Sequence, residues 1–264
     1  SVFGMTEYLD SLFSLEGKTA LVTGGAKGIG RMMSESLLQA GARVFISSRS
    51  VQDCNTAATE MGQHGDCQAL PYDLSIMENI EALAMDLQTA GHGLDILVNN
   101  SGATWGAPLN EFPEAGWDKV MDLNVKAPFY LVQKLLALLT AGASQQEPAR
   151  IINIGSIAGL VAESQSAYSY MASKGAILHL TKGLAKDLAD RHITVNAIAP
   201  GLFPSKMTKH LTSDDKVMGA IVSQVPLARM GEPQDIGGLA IFLSSVAGAY
   251  ITGSVIPLGG GLEL

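Results

Sequence analysis

Residues Thr19–Gly30 read TALVTGGAKGIG. A short apolar run, Thr19–Thr23, leads into a glycine-rich turn. Arg31–Gln39 then carries apolar residues at helical spacing, and Gly41 closes the helix. Strand, glycine turn and helix in that order is the setting of a dinucleotide-binding turn. Glycines let the backbone approach a pyrophosphate, which rests on the helix N-terminus. The spacing departs from G-x-G-x-x-G, because Gly24, Gly28 and Gly30 follow Thr23. A glycine-rich turn alone is often only a turn, so the neighbouring elements decide the matter.

Strand and helix patterns alternate outward from this turn. Arg43–Ser48 reads as the second strand and Val51–Gln63 as a helix. Gln68–Tyr72 reads as a third strand with Asp73 at its carboxyl end, and Ser75 as the N-cap of a helix over Ile76–Ala90. Asp95–Val98 is a fourth strand, ending in Asn99-Asn100-Ser101-Gly102. Pro108–Ala115 and Trp117–Leu139 read as helices, with Asn124 facing inward between Leu123 and Val125. Ile193–Ala199 is a strand stopped by Pro200-Gly201; Pro233–Ser244 is helical and Ser254–Leu258 is a last strand. Residues 202–226 are weakly patterned and read as a mobile substrate lid with one or two short helices. This alternation predicts one α/β domain over 1–264, a doubly wound parallel sheet, with 1–15 as a short amphipathic extension.

At the end of the second strand no acid stands to hold ribose hydroxyls. Ser47, Ser48 and Arg49 stand there, and Lys27 lies in the glycine turn. Cations in those places suit a 2′-phosphate, which a carboxylate would repel. The expected dinucleotide therefore carries a 2′-phosphate.

The stretch Ile151–Lys174, IINIGSIAGLVAESQSAYSYMASK, carries the chemistry. A buried β-branched strand ends at Gly155, and Ser156 follows at the carboxyl end, where open α/β sheets bind ligands. Tyr170 and Lys174 lie one helical turn apart on one face. An ammonium beside a phenol favours the phenolate, so the phenol can act as a general acid near neutral pH. A serine hydroxyl can donate to a carbonyl oxygen that gains negative charge. A Tyr and a Lys at this spacing are also common on ordinary helices.

Composition narrows the classes. The chain has 264 residues, 47% of them apolar, and a formal net charge of −8, with no basic stripe for nucleic acid. No apolar run is long enough for a membrane helix, and 1–15 lacks a secretory signal pattern. Cys54 and Cys67, the only cysteines, lie outside any metal-ligand spacing, so free thiols in a reducing cytoplasm and no metal are expected.

TGGAKGIG, Asp73, NNSG, Asn124, Ser156, Tyr170-x-x-x-Lys174 and Pro200-Gly201 occur in one order. Together they resemble the short-chain dehydrogenase/reductases over nearly the whole chain. GKTALVTGGAKGIG and PLARMGEPQDIGGLAIFLSS are similar to the 3-oxoacyl-[acyl-carrier-protein] reductases among them. The resemblance implies a Rossmann-type sheet of about seven strands, a nicotinamide cofactor, which with the cations Lys27 and Arg49 is expected to be NADPH, and a homotetramer. It implies catalytic Asn124, Ser156, Tyr170 and Lys174, with Lys174 also on the nicotinamide ribose and Asn124 holding a relay water. Around the cofactor it places Gly24, Lys27, Gly28, Ile29 and Gly30 in the turn and Arg49 beyond the second strand. Asp73 and Leu74 would lie at the adenine, Asn99, Asn100 and Gly102 under the ribose, and Pro200 and Gly201 beside the nicotinamide. The expected reaction is reduction of a 3-oxoacyl thioester, as in fatty-acid-type lipid synthesis. A sugar, steroid or small-ketone reductase and a dinucleotide-sensing scaffold are the alternatives.

Three departures from the family pattern stand out. The loop between Ser156 and Tyr170 is one residue longer, which leaves Tyr168 as a nearby second phenol. NNSG replaces NNAG. Leu258-Gly259-Gly260 lacks the acid usual before the final glycines. For an acidic carrier protein, Arg191 is the expected docking cation, while Gln145-Gln146-Glu147 has none.

Overall fold

The computed structural model describes residues 2–162, 166–205, 208–209 and 214–264. Seven parallel strands form one sheet in the order β3-β2-β1-β4-β5-β6-β7. They are β1 Thr19–Thr23, β2 Arg43–Ser47, β3 Cys67–Ala69, β4 Ile96–Asn99, β5 Ala149–Ile154, β6 Ile193–Pro200 and β7 Val255–Leu258. The order reverses between β1 and β4, and that reversal opens a crevice at the carboxyl ends of the strands.

The strands are apolar on both faces because both faces are covered. Successive side chains alternate between two cores. Ala20, Val22, Val44, Ile46, Ile96 and Val98 enter one; Leu21, Phe45 and Leu97 enter the other. The first core is closed by helices α2 (Gly28–Gln39) and α3 (Val51–Met61), and the second by α4 (Met77–Ala90).

Helices α5 (Glu114–Met121), α6 (Ala127–Ala141) and α7 (Tyr168–Leu188) follow, then α8 (Asp215–Val222) and α9 (Pro233–Ser244). The amino-terminal extension is a helix, α1 (Val2–Phe13), with Met5, Tyr8 and Leu9 largely exposed.

Several boundaries differ from the sequence expectation. β3 pairs over only Cys67–Ala69; Leu70 still donates to the Ile46 carbonyl, and the pairing ends before Pro71. Ser75 is not the N-cap of α4: Ile76 holds that position, and the Ser75 hydroxyl donates to Asp73 Oδ1 at 2.6 Å. The helix expected over Pro108–Ala115 is a single 3₁₀ turn, Leu109–Glu111; Phe112, preceding Pro113, is extended. Trp117–Leu139 is not one regular helix. A π-turn, Asp122–Lys126, separates α5 from α6. Pro128 has no N–H to give the carbonyl four residues earlier, that of Asn124, so the α-helical ladder cannot run unbroken there.

Arg150, 3% exposed at the amino end of β5, donates to the carbonyls of Pro148, Leu243 and Ser245. It ties the sheet to the end of α9. Burial pushes its pKa down to about 10. Both cysteines are free, and burial pushes the Cys67 thiol up to about 12.

Candidate active site

The crevice begins at the glycine turn between β1 and α2. Gly24 and Gly28 adopt φ of +61° and +55°, conformations that a side chain would strain. A Cβ on Gly30 would fall 2.1 Å from the Gly24 carbonyl oxygen. The first turn of α2 therefore lies against the loop with its backbone bare, a cradle that suits a pyrophosphate. Thr23 Oγ accepts from the N–H groups of Asn100 and Ser101 at 2.9 and 3.0 Å, joining β1 to the end of β4. Asn100 Nδ2 donates to the Gly24 carbonyl.

From there a cavity of ≈ 400 Å³ runs past Lys27, Ser48 and Arg49 to Asp73 and Leu74. Its shape and lining fit the adenosine half of a dinucleotide. Asp73 spends its carboxylate on the Ser75 N–H and hydroxyl, which holds the wall of this cavity in place. Asn99 is not on the floor as expected. It is buried, and its amide donates to Asn153 Oδ1 at 2.9 Å; Asn153 in turn donates to Thr181 of α7. This buried chain of amides and a hydroxyl locks β4, β5 and α7 together.

A second cavity of ≈ 250 Å³ holds Ser156, Tyr170 and Lys174, with Pro200 and Gly201 on its far wall. The two cavities meet at Gly102 and Ala103. Ser156 is extended at the end of β5; its Oγ accepts from the Ala158 N–H at 3.1 Å, which leaves its own proton to donate. The loop after it lies on α7 only because residue 159 is glycine: a Cβ there would fall 2.7 Å from the Lys174 backbone. Lys174 Nζ lies 5.5 Å from the Tyr170 ring centroid and donates to the Ile154 carbonyl at 3.1 Å. Burial pushes its pKa down to about 8. Tyr168 is turned away and packs edge-on against Phe112, ring centroids 5.8 Å apart. The longer loop thus leaves Tyr170, not Tyr168, beside the serine. Residues 163–165 of that loop lie outside the described residues.

Asn124 does not line the cavity. It is 3% exposed; its Oδ1 accepts from the Ala103 N–H at 2.8 Å, and its Nδ2 donates to the Ala103 carbonyl and to Ser173 Oγ. The side-chain amide is therefore committed to the protein, and it fixes the strand-end loop against α7.

A protein-family model described as enoyl-(acyl carrier protein) reductase matches residues 24–263. The chain belongs to the short-chain dehydrogenase/reductase family. Among members of this family it is 50% identical to the rhamnolipids biosynthesis 3-oxoacyl-[acyl-carrier-protein] reductase of Pseudomonas aeruginosa, over 96% of this chain and 98% of that one. It is 35% identical to the 3-oxoacyl-[acyl-carrier-protein] reductase FabG of Vibrio cholerae, over 95% and 99%. It is 34% identical to the 5-keto-D-gluconate 5-reductase of Escherichia coli, over 96% and 98%. Among solved structures of short-chain dehydrogenase/reductases, the RhlG/NADP active-site complex of Pseudomonas aeruginosa superimposes with a TM-score of 0.94 at 50% identity, over 96% and 99%.

Sequence reasoning missed one residue of the site. Asp53, in the first turn of α3, lines the adenosine cavity and forms an ion pair with Lys27. Arg191 is exposed just before β6, whereas the cavity lies beyond Pro200 at the other end of that strand. Glu147 pairs with Lys18 at 3.2 Å. Among the described residues no helix is long and apolar enough to cross a membrane, and no group of three or more His, Cys, Asp or Glu could hold a metal.

Proposed function

We propose that the protein is an NADPH-dependent reductase of 3-oxoacyl thioesters. The observation that carries the chemistry is the gathering of Ser156, Tyr170 and Lys174 in one cavity continuous with the dinucleotide cleft. When bound, NADPH supplies the hydride. Tyr170 gives its phenolic proton to the substrate oxygen as that oxygen becomes negative. Ser156 donates a hydrogen bond to the same oxygen and is already oriented by the Ala158 N–H. Lys174 places positive charge beside the phenol, which eases loss of its proton, and would hold the nicotinamide ribose. Asn124 positions Ala103 and α7; a relay water would take its main-chain carbonyl, which Pro128 cannot satisfy in the α-helical pattern.

The acyl reading rests on the likeness to the Pseudomonas reductase and on apolar Leu202 and Phe203 in the lining of the cavity. Of the lid expected over 202–226, Leu202, Phe203, Ser205 and Thr208 line the cavity, while 206, 207 and 210–213 lie outside the described residues. The protein works in the cytoplasm as a homo-oligomer, for which Trp117 and Phe129 on consecutive helices remain partly exposed. The likeness to the keto-gluconate reductase keeps a polar ketone as the second substrate class.

NADPH oxidation measured with matched carrier-bound and coenzyme A-bound 3-oxoacyl substrates tests the reading. Turnover of either supports it; turnover of 5-keto-gluconate alone replaces it. In the same assay, Arg191→Glu is expected to raise KM for the carrier-bound form only. An unchanged KM removes Arg191 as the docking cation.

The cofactor choice has its own test. Arg49→Ala is expected to weaken NADPH binding tenfold or more, since a charge-assisted phosphate contact contributes about 1.5–3 kcal/mol, and to leave NADH binding unchanged. Equal loss for both cofactors would show that Arg49 does not meet a 2′-phosphate.

A further inference from the structure

Three charged side chains from three elements share the wall of the adenosine cavity: Lys27 from the glycine turn, Arg49 from the end of β2 and Asp53 from α3. Lys27 Nζ is ion-paired with the Asp53 carboxylate. Arg49 is exposed and makes no ion pair among the described residues. We propose that Asp53 competes with the cofactor's 2′-phosphate for Lys27, and so sets how far the protein prefers NADP(H) over NAD(H). The proposal rests on the NADPH reading above.

A 2′-phosphate within reach of Lys27 must take the place of the Asp53 carboxylate, because two anions on one ammonium repel each other. Part of the attraction of Lys27 for the phosphate is therefore spent on breaking an existing pair. A carboxylate on this wall can also accept hydrogen bonds from unphosphorylated ribose hydroxyls, the part an acid at the end of β2 plays in NAD-binding sheets. Asp53 comes to that wall from α3 instead, five residues beyond the last of the strand-end serines at Ser48.

Binding of adenosine 2′,5′-bisphosphate and of adenosine 5′-phosphate to the cofactor-free full chain, measured by calorimetry, tests the proposal without turnover. Asp53→Asn keeps the shape and removes the charge. It is expected to tighten the bisphosphate roughly three- to tenfold and leave the monophosphate unchanged or weaker, a modest effect because the Lys27 and Asp53 side chains are 47% and 43% exposed. The gain should shrink as salt rises. Competition also requires the gain to be smaller in a Lys27→Met background; an equal gain there would overturn it.

Equal tightening of both ligands, or of neither, overturns the role of Asp53. If the unmodified protein prefers the bisphosphate while Asp53→Asn matches it, only this proposal fails. If the unmodified protein binds both ligands alike, the NADPH reading fails and takes the proposal with it. A first-turn acid also stabilises a helix, so Asp53→Gln, a residue suited to the third helical position after the N-cap Ser50, replaces the Asn variant should that one not fold.

Discussion

Replacing Tyr170 with phenylalanine is expected to lower turnover by about 10²–10⁴-fold, the usual contribution of a positioned general acid, while NADPH still binds. The change removes one hydroxyl and leaves the ring that packs beside Lys174. The cleft that would hold the dinucleotide is built from the glycine turn, the end of β2 and Asp73, and Tyr170 is not among its lining residues. Loss should therefore fall on kcat and kcat/KM alike, with cofactor affinity preserved, the pattern of an interaction made in the transition state. Tyr168→Phe should be mild, because that ring packs on Phe112. Steady-state kinetics and fluorescence titration with NADPH on both variants measure this. A dead Tyr168→Phe with an active Tyr170→Phe would reverse the assignment of the proton donor.

The second large effect concerns Lys174, where activity and stability should move in opposite directions. Its side chain is 7% exposed, and burial pushes its pKa from 10.5 to about 8. Between about pH 8 and 10.5 the unfolded chain still holds a proton that the folded chain has released, so folding stability rises with pH through that window. Below about pH 8 both states carry the charge, and burying it costs on the order of 3 kcal/mol. Lys174→Met removes that cost and forfeits the bond to the Ile154 carbonyl, worth about 1 kcal/mol. The cofactor-free variant should therefore melt above the unmodified protein at pH 7, and the difference should fade by about pH 10. Turnover should fall by at least about 10²-fold, since the phenol loses the charge that eases release of its proton. Calorimetry at the two pH values decides the stability half. A variant less stable than the parent at pH 7 would mean that the ammonium is paid for within the folded protein.

Much of this arrangement was legible in the residues. Alternating apolar side chains specified strands buried on both faces, and each went to its own core, Val22 to one and Leu21 to the other. The glycine turn, the serine at the end of β5 and the one-turn spacing of Tyr170 and Lys174 are short-range patterns. Local backbone geometry is enough to convert them into a cradle and a pair of facing side chains. Pro113 and Pro128 interrupt the expected helices through the restricted preceding residue and the missing N–H, which is again local chemistry.

Partner choice between distant elements was settled only by the tertiary structure. Nothing in the spacing of Lys27 and Asp53 says that a glycine turn and the start of α3 bring them together. Asn99 turned from the cleft floor to Asn153, and Asn124 spent its amide on Ala103 and Ser173, because a buried amide must take whichever partners the packed elements present. Arg191 precedes β6 by sequence yet stands at the edge of the sheet away from Pro200, since a parallel strand carries its two ends to opposite sides of the molecule. Periodicity in the chain determines which face of an element is buried. Which polar groups then meet depends on the order and register of strands whose neighbours lie far apart in sequence, and that the packing alone decided.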